Sequence, residues 1–128
     1  LAEAKELAAW KDKINRHWHE VSLQRIDNSS DAILAGEEIR IRVAAKLGGL
    51  SQDDVIMECI IGTESAHSDF TAREHIRFAA VGTNEKGESI FELDLEPPLS
   101  GLQFYKLRMY PYNEALSHPF EVGCMIWI

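Results

Sequence analysis

The sequence predicts an immunoglobulin-like antiparallel β-sandwich with a leading α-helix, and three observations carry that prediction. Apolar residues recur at helical spacing up to Val21 and then alternate with polar ones. About seven short alternating runs follow, separated by turn-forming residues. Few of the gaps reach crossover length, which favours two packed antiparallel sheets over an α/β sheet.

The elements follow in order. Residues 3–19 are expected as a helix, because Leu7, Trp10, Ile14, Trp18 and Val21 recur every three or four residues as one apolar stripe. The alanines at 2, 4, 8 and 9 are strong helix formers. Glu20 to Ile26 is a first strand, closed by the turn cluster Asp27 to Asp31. Glu37 to Leu47 is the clearest strand. There Ile39, Ile41, Val43, Ala45 and Leu47 face one way, and Glu38, Arg40, Arg42 and Lys46 the other. Gly48 to Asp54 is a connector. Val55 to Ile61 is the most apolar strand, expected at a sheet centre. Residues 62–74 are expected as a polar loop and His75 to Val81 as a strand. Gly82 to Gly87 is a hairpin turn leading to the strand Ile90 to Leu95, which Pro97 and Pro98 end. Leu102 to Tyr110 alternates Tyr105, Leu107 and Met109 against Phe104, Lys106 and Arg108, and Glu121 to Ile128 closes the chain.

At 128 residues with 45% apolar content, the chain can bury one real core. Its formal charge of −8 and lack of a basic run exclude nucleic acid and anionic membrane surfaces as expected partners. No apolar run is long enough to span a bilayer, and no signal peptide is visible, so a cytoplasmic location is expected. The start at Leu1, inside a helical pattern, leads to the expectation of a piece of a longer protein. Two cysteines, Cys59 and Cys124, lie in apolar runs and read as buried thiols. Asn28-Ser29-Ser30 fits an N-glycosylation pattern that matters only in a secreted protein.

Chemistry-bearing patterns are few. His17 and His19 stand about 200° apart on a helix and cannot share an ion; the other histidines lack metal-ligand spacing, so no metal site is expected. Cys59 sits among Ile56, Met57, Ile60 and Ile61, where a thiol is inert. Ser65 and His67 share a loop without a third partner. The glycines at 48, 49, 82 and 87 read as turn glycines, not a phosphate cradle. Glu92, Asp94 and Glu96 line one strand face and read as a solvated edge. No catalytic and no cofactor-binding residue is expected. Tyr110 and Tyr112 flank Pro111 and are the candidates for stacking on a sugar ring, expected to be exposed. Trp10, Trp18 and Trp127 read as packing residues.

The closing stretch, with Arg108, Pro111, Leu116, Pro119, Phe120, Glu121, Gly123 and Trp127 in that order, resembles the end of bacterial and archaeal α-glucan (glycogen or maltodextrin) phosphorylases. Leu7, Trp10, Lys11, Ile14, Arg16 and Trp18 resemble the helix after their catalytic core. Gly49-Leu50-Ser51 with Asp53, Asp54 and Val55 resembles a connector of the same region. Tyr112-Asn113 departs from the histidine and proline expected there.

The resemblance implies a parent enzyme that cleaves α-1,4-glucans with phosphate to glucose 1-phosphate. Pyridoxal phosphate would be held by upstream domains and not by this chain. Residues 1–19 would then be a helix linking to that upstream catalytic region, and 20–128 a β-sandwich domain. Its expected partners are the catalytic domains of the same polypeptide, with α-glucan or self-association as further possibilities. Three roles stay open at this point: a structural or interdomain contact, a glucan-binding accessory module, and a free-standing immunoglobulin-like interaction domain.

Overall fold

The computed structural model describes residues 2–28, 32–64, 69–96 and 100–128. Helix α1 spans Ala2–His17, and a 3-10 turn, Trp18–Glu20, follows it. The strands are β1 (Ser22–Arg25), β2 (Ala32–Leu34), β3 (Ile39–Lys46), β4 (Val55–Glu64), β5 (Phe70–Arg77), β6 (Ala79–Thr83), β7 (Ser89–Leu95), β8 (Leu102–Pro111) and β9 (Ile126–Trp127). They form two antiparallel sheets. The smaller runs β1-β3-β7-β6; the larger runs β2-β8-β4-β5, with β9 alongside β8.

Alternation sets the faces. Opposite residues in an antiparallel pair point to the same side, so Val43 with Phe91, Ile41 with Leu93 and Cys59 with Leu107 all face inward. These join Met57, Ile61, Tyr105 and Met109 in one core. Helix α1 contributes Ile14, fully buried in that same core, with Trp10 and Trp18 packed partly against it. The helical stripe and the mainly β sandwich are therefore as the sequence indicates.

Several boundaries differ, each for a physical reason. The strand expected over 75–81 is two strands in different sheets. Ile76 and Phe78 pack toward the core and Ala80 pairs with Phe91, so the alternation runs on while the hydrogen-bonding partner changes. Phe78 makes the crossing, its amide donating to the Met57 carbonyl. Most of the loop expected over 62–74 is extended instead, as β4 lengthens and β5 begins early. At Gly62 the β4–β5 register shifts; a Cβ there would collide with the Thr71 carbonyl and the Phe70 ring, so only glycine fits.

The short β2 carries no alternation long enough to read. The closing strand shrinks to Ile126–Trp127 because turn bonds coil the segment before it, ending at Gly123 with φ +79°. The expected edge formed by Glu92 and Asp94 is an inner strand. Arg40 and Arg42 of β3 face them, with Arg40 Nε 2.7 Å from Asp94 Oδ1 and Arg42 Nε 3.2 Å from Glu92 Oε2. Ser29, Ser30, Ser65, His67, Pro97 and Pro98 lie outside the described residues. No described helix is long and apolar enough to cross a membrane.

Candidate functional site

Even-numbered residues of β4 and β8 point away from the core, onto the outer face of the larger sheet. Three of them meet there. Arg108 Nε donates to Glu58 Oε1 at 2.6 Å, and the Tyr110 hydroxyl donates to Glu58 Oε2 at 3.3 Å. His75, on β5, places Nδ1 3.2 Å from Arg108 Nη2. Glu58, Arg108 and Tyr110 are all buried, although they lie on an outer face. The cover comes from the closing segment. Phe120 meets Tyr110 edge-on at 5.1 Å, and the Arg108 guanidinium lies 4.8 Å from the Phe120 ring and 5.4 Å from the Trp127 ring. Burial, and then the Glu58 carboxylate, push the Tyr110 hydroxyl above its ordinary range.

The two candidate tyrosines are thus separated. Tyr110, expected to be exposed, is only 3% exposed, because Phe120 covers it. Tyr112 is half-buried beyond the strand end, with the Arg77 guanidinium 5.5 Å from its ring centre. Trp127 does not pack inward: it is 49% exposed, with one face on Arg108.

Asp54 positions Tyr112. It sits at the end of the connector, where Ser51-x-x-Asp54 has the spacing of a capping box. Asp54 Oδ2 accepts from the Ser51 amide at 2.8 Å and from Lys13 Nζ at 2.8 Å, and Oδ1 accepts from the Trp10 indole at 3.0 Å. Its carbonyl accepts the Tyr112 amide at 2.9 Å. Burial works against the charged form, but Lys13, the Ser51 amide and Trp10 outweigh it and hold the carboxyl below its ordinary range. Helix, connector and closing segment are pinned to one carboxylate. Beside it opens a cleft of about 590 Å³, walled by Trp10, Asp53, Arg77, Tyr112, Asn113 and Glu114.

Sequence reading did not single out Glu58, Arg108 or Asp54 as organising residues. Signals existed: a lone carboxylate inside the apolar run Val55 to Ile61, and the capping spacing from Ser51.

Other chemistry is poorly served. Among the described residues, no group of three or more His, Cys, Asp or Glu side chains is placed to hold a metal ion. His17 Nδ1 instead lies 3.0 Å from Glu20 Oε2. Cys59 and Cys124 are free thiols, and burial pushes the Cys59 thiol up to about 12. The residues do not fit pyridoxal phosphate either. All six lysines keep solvent exposure, Lys11 pairs with Glu121, Lys13 with Asp54, and Lys106 lies over the Phe70 ring. None sits in an enclosed pocket beside a phosphate cradle.

The chain is similar to known proteins over most of its length. Residues 18–128 match the family model of the glycogen phosphorylase C-terminal domain. The chain is 25% identical over 122 residues to a glycogen phosphorylase of Mycobacterium tuberculosis (strain ATCC 25618 / H37Rv), covering 94% of this chain and 14% of that protein. It is 26% identical over 131 residues to a maltodextrin phosphorylase of Thermococcus litoralis, covering 96% of this chain and again 14% of the relative. The chain spans about one seventh of the length of these relatives, and it belongs to the glycogen phosphorylase C-terminal domain family.

Proposed function

We propose that this chain is a non-catalytic C-terminal domain of an α-glucan phosphorylase, and that the outer face of its larger sheet docks on the remainder of that polypeptide. The parent activity is the phosphorolysis of α-1,4-glucan to glucose 1-phosphate, with pyridoxal phosphate held outside this chain. One observation carries the docking reading: the larger sheet gathers the larger exposed apolar side chains on its outer side. The smaller sheet turns Arg40, Arg42, Glu92 and Asp94 outward, where they satisfy one another, and exposes Ile26 and Val81 at its edge strands. The larger sheet leaves Leu34, Leu102, Phe120 and Trp127 between 45% and 50% exposed on its outer side and edge. Large apolar side chains exposed together on one side support a contact site there. The covering distance of 14% on the relatives leaves most of a phosphorylase to supply the partner surface.

A second copy is the competing occupant, and the net charge of −8 opposes it. The free thiols support a reducing compartment such as the cytoplasm. The strand order supports an immunoglobulin-like plan: β1-β3-β7-β6 follows the ABED order and β4-β8-β9 the CFG order, with β2 and β5 as additional strands of the larger sheet.

The test uses Leu34→Glu and Leu102→Glu in the full-length polypeptide and in the isolated chain, because Phe120 and Trp127 also cover the Glu58–Arg108 pair. Docking requires faster proteolysis and a lower unfolding midpoint in the full-length variants, with little change in the isolated chain. Equal behaviour of variant and wild type in the full-length protein overturns docking. Glucose 1-phosphate formation by the purified chain overturns the non-catalytic reading.

A further inference from the structure

We infer that the cleft beside Tyr112 is a binding subsite for a neutral oligosaccharide, a segment of α-1,4-linked glucan. The ligand class rests on the phosphorylase reading above; the site itself rests on geometry. The cleft floor is rigid, because the Asp54 carbonyl holds the Tyr112 amide and the Asp54 carboxylate holds the Trp10 indole. Trp10 spends its only donor there, so Tyr112 supplies the free polar tip and the stacking ring. The Arg77 guanidinium, 5.5 Å from that ring centre, braces it from one side.

The groups around the ring decide what can bind. Asp53 and Glu114 bring acceptors, and Arg77 brings donors; among the described residues none of the three forms an ion pair. Asn113 spends its side-chain oxygen on the Ala115 amide at 2.9 Å and its carbonyl on Leu116, which leaves the amide NH2 as a donor. Donors and acceptors of both signs around an aromatic ring suit a pyranose, with an apolar face to stack and neighbouring hydroxyls that both donate and accept. An anion would meet Asp53, Asp54 and Glu114. A metal ion would meet Arg77, and no described group of ligands is placed to hold one.

The cleft adjoins the docking face, since Arg77 stands opposite Glu58 and Ile56 also lines it, but neither Phe120 nor Trp127 is among its residues. The experiment titrates the 128-residue chain with maltoheptaose by calorimetry and by amide NMR shifts, with Tyr112→Ala, Glu114→Gln and, as control, Lys86→Ala in the β6–β7 hairpin. The expected result is saturable millimolar or tighter binding, with shifts centred on residues 112–114. Tyr112→Ala should weaken it at least tenfold, Glu114→Gln severalfold, and Lys86→Ala not at all. Circular dichroism confirms that each variant is folded; Glu114→Gln, at an exposed position, keeps the test alive if Tyr112→Ala is not. No saturation with maltoheptaose overturns the proposal, as does binding that Tyr112→Ala and Glu114→Gln leave unchanged, or equal binding of a sulfated oligosaccharide. The docking test reads proteolysis of the full-length polypeptide, so either proposal can fail while the other stands.

Discussion

Arg108 and Glu58 form an ion pair on the outer face of a sheet, yet both are buried, with Nη2 2.5 Å and Nε 2.6 Å from the same carboxylate oxygen. They are opposite each other in the β4–β8 register, so the pair is fixed by backbone pairing before any side-chain choice is made. What buries them is the closing segment, whose Phe120 and Trp127 rings lie against the guanidinium. The ion pair and the tail are therefore one unit.

Removing one partner strands the other. Glu58→Ala and Arg108→Ala are each expected to cost about 3–5 kcal/mol, because an uncompensated charge stays buried. Glu58→Met combined with Arg108→Met and Tyr110→Phe should lie within about 1 kcal/mol of wild type or above it, since the desolvation cost disappears with both charges and no hydroxyl is left without its acceptor. Urea denaturation of the three variants measures this. Additive losses in the combined variant would show that the two residues do not act as a pair.

Asp54 gives a pH-dependent prediction. Its folded carboxyl lies below the ordinary range, so its contribution is fully present above the unfolded value of about 3.9 and is lost as pH falls through the folded value. Asp54→Ala is expected to cost about 2–3 kcal/mol at neutral pH, by freeing the Trp10 indole, Lys13 and the Ser51 amide. The gap between wild type and variant should close below about pH 4. Denaturation followed by tryptophan fluorescence across that range checks the sign; a gap that widens on acidification contradicts it.

Gly62→Ala is expected to destabilise by about 1–3 kcal/mol, more than its small size suggests. The new methyl meets the backbone oxygen of Thr71, which cannot rotate away as a side chain would. Thermal unfolding measures the loss. A neutral substitution would mean that β5 can shift its register freely at the bulge.

Much of the fold was legible in the sequence because alternation reports which side of a strand is buried. Ile41, Val43 and Leu107 each fall on one face of an alternating run, and all three are buried. Alternation is silent on which strand lies alongside. That is why β5 and β6 read as one run through Phe78, and why Glu92 and Asp94 read as an edge when Arg40 and Arg42 stand opposite. The candidate site was less legible for the same reason. Tyr110 and Tyr112 look alike two residues apart, but Phe120, ten residues after Tyr110, covers only the first. Glu58 and Arg108 are fifty residues apart, and only the β4–β8 register brings them together.

Cys59 lies among apolar neighbours, and its inertness can be measured. The thiol is fully buried, and desolvation dominates its shift to about 12; Arg25 acts weakly the other way and Glu58 adds to it. Near pH 8 only about one molecule in ten thousand would carry the thiolate, the form that reacts. Cys124 is partly exposed, with its thiol raised by burial alone. In the native protein a disulfide-exchange reagent should therefore modify Cys124 first. Cys59 should follow only at the rate of global opening, because β4 lies between two partner strands and has no edge to fray. Added urea should speed the Cys59 phase in step with the loss of stability and barely change the Cys124 phase. Two equal rates in the absence of denaturant would mean that the β4 centre opens locally, and that the core beneath the Arg108–Glu58 pair is looser than its burial indicates.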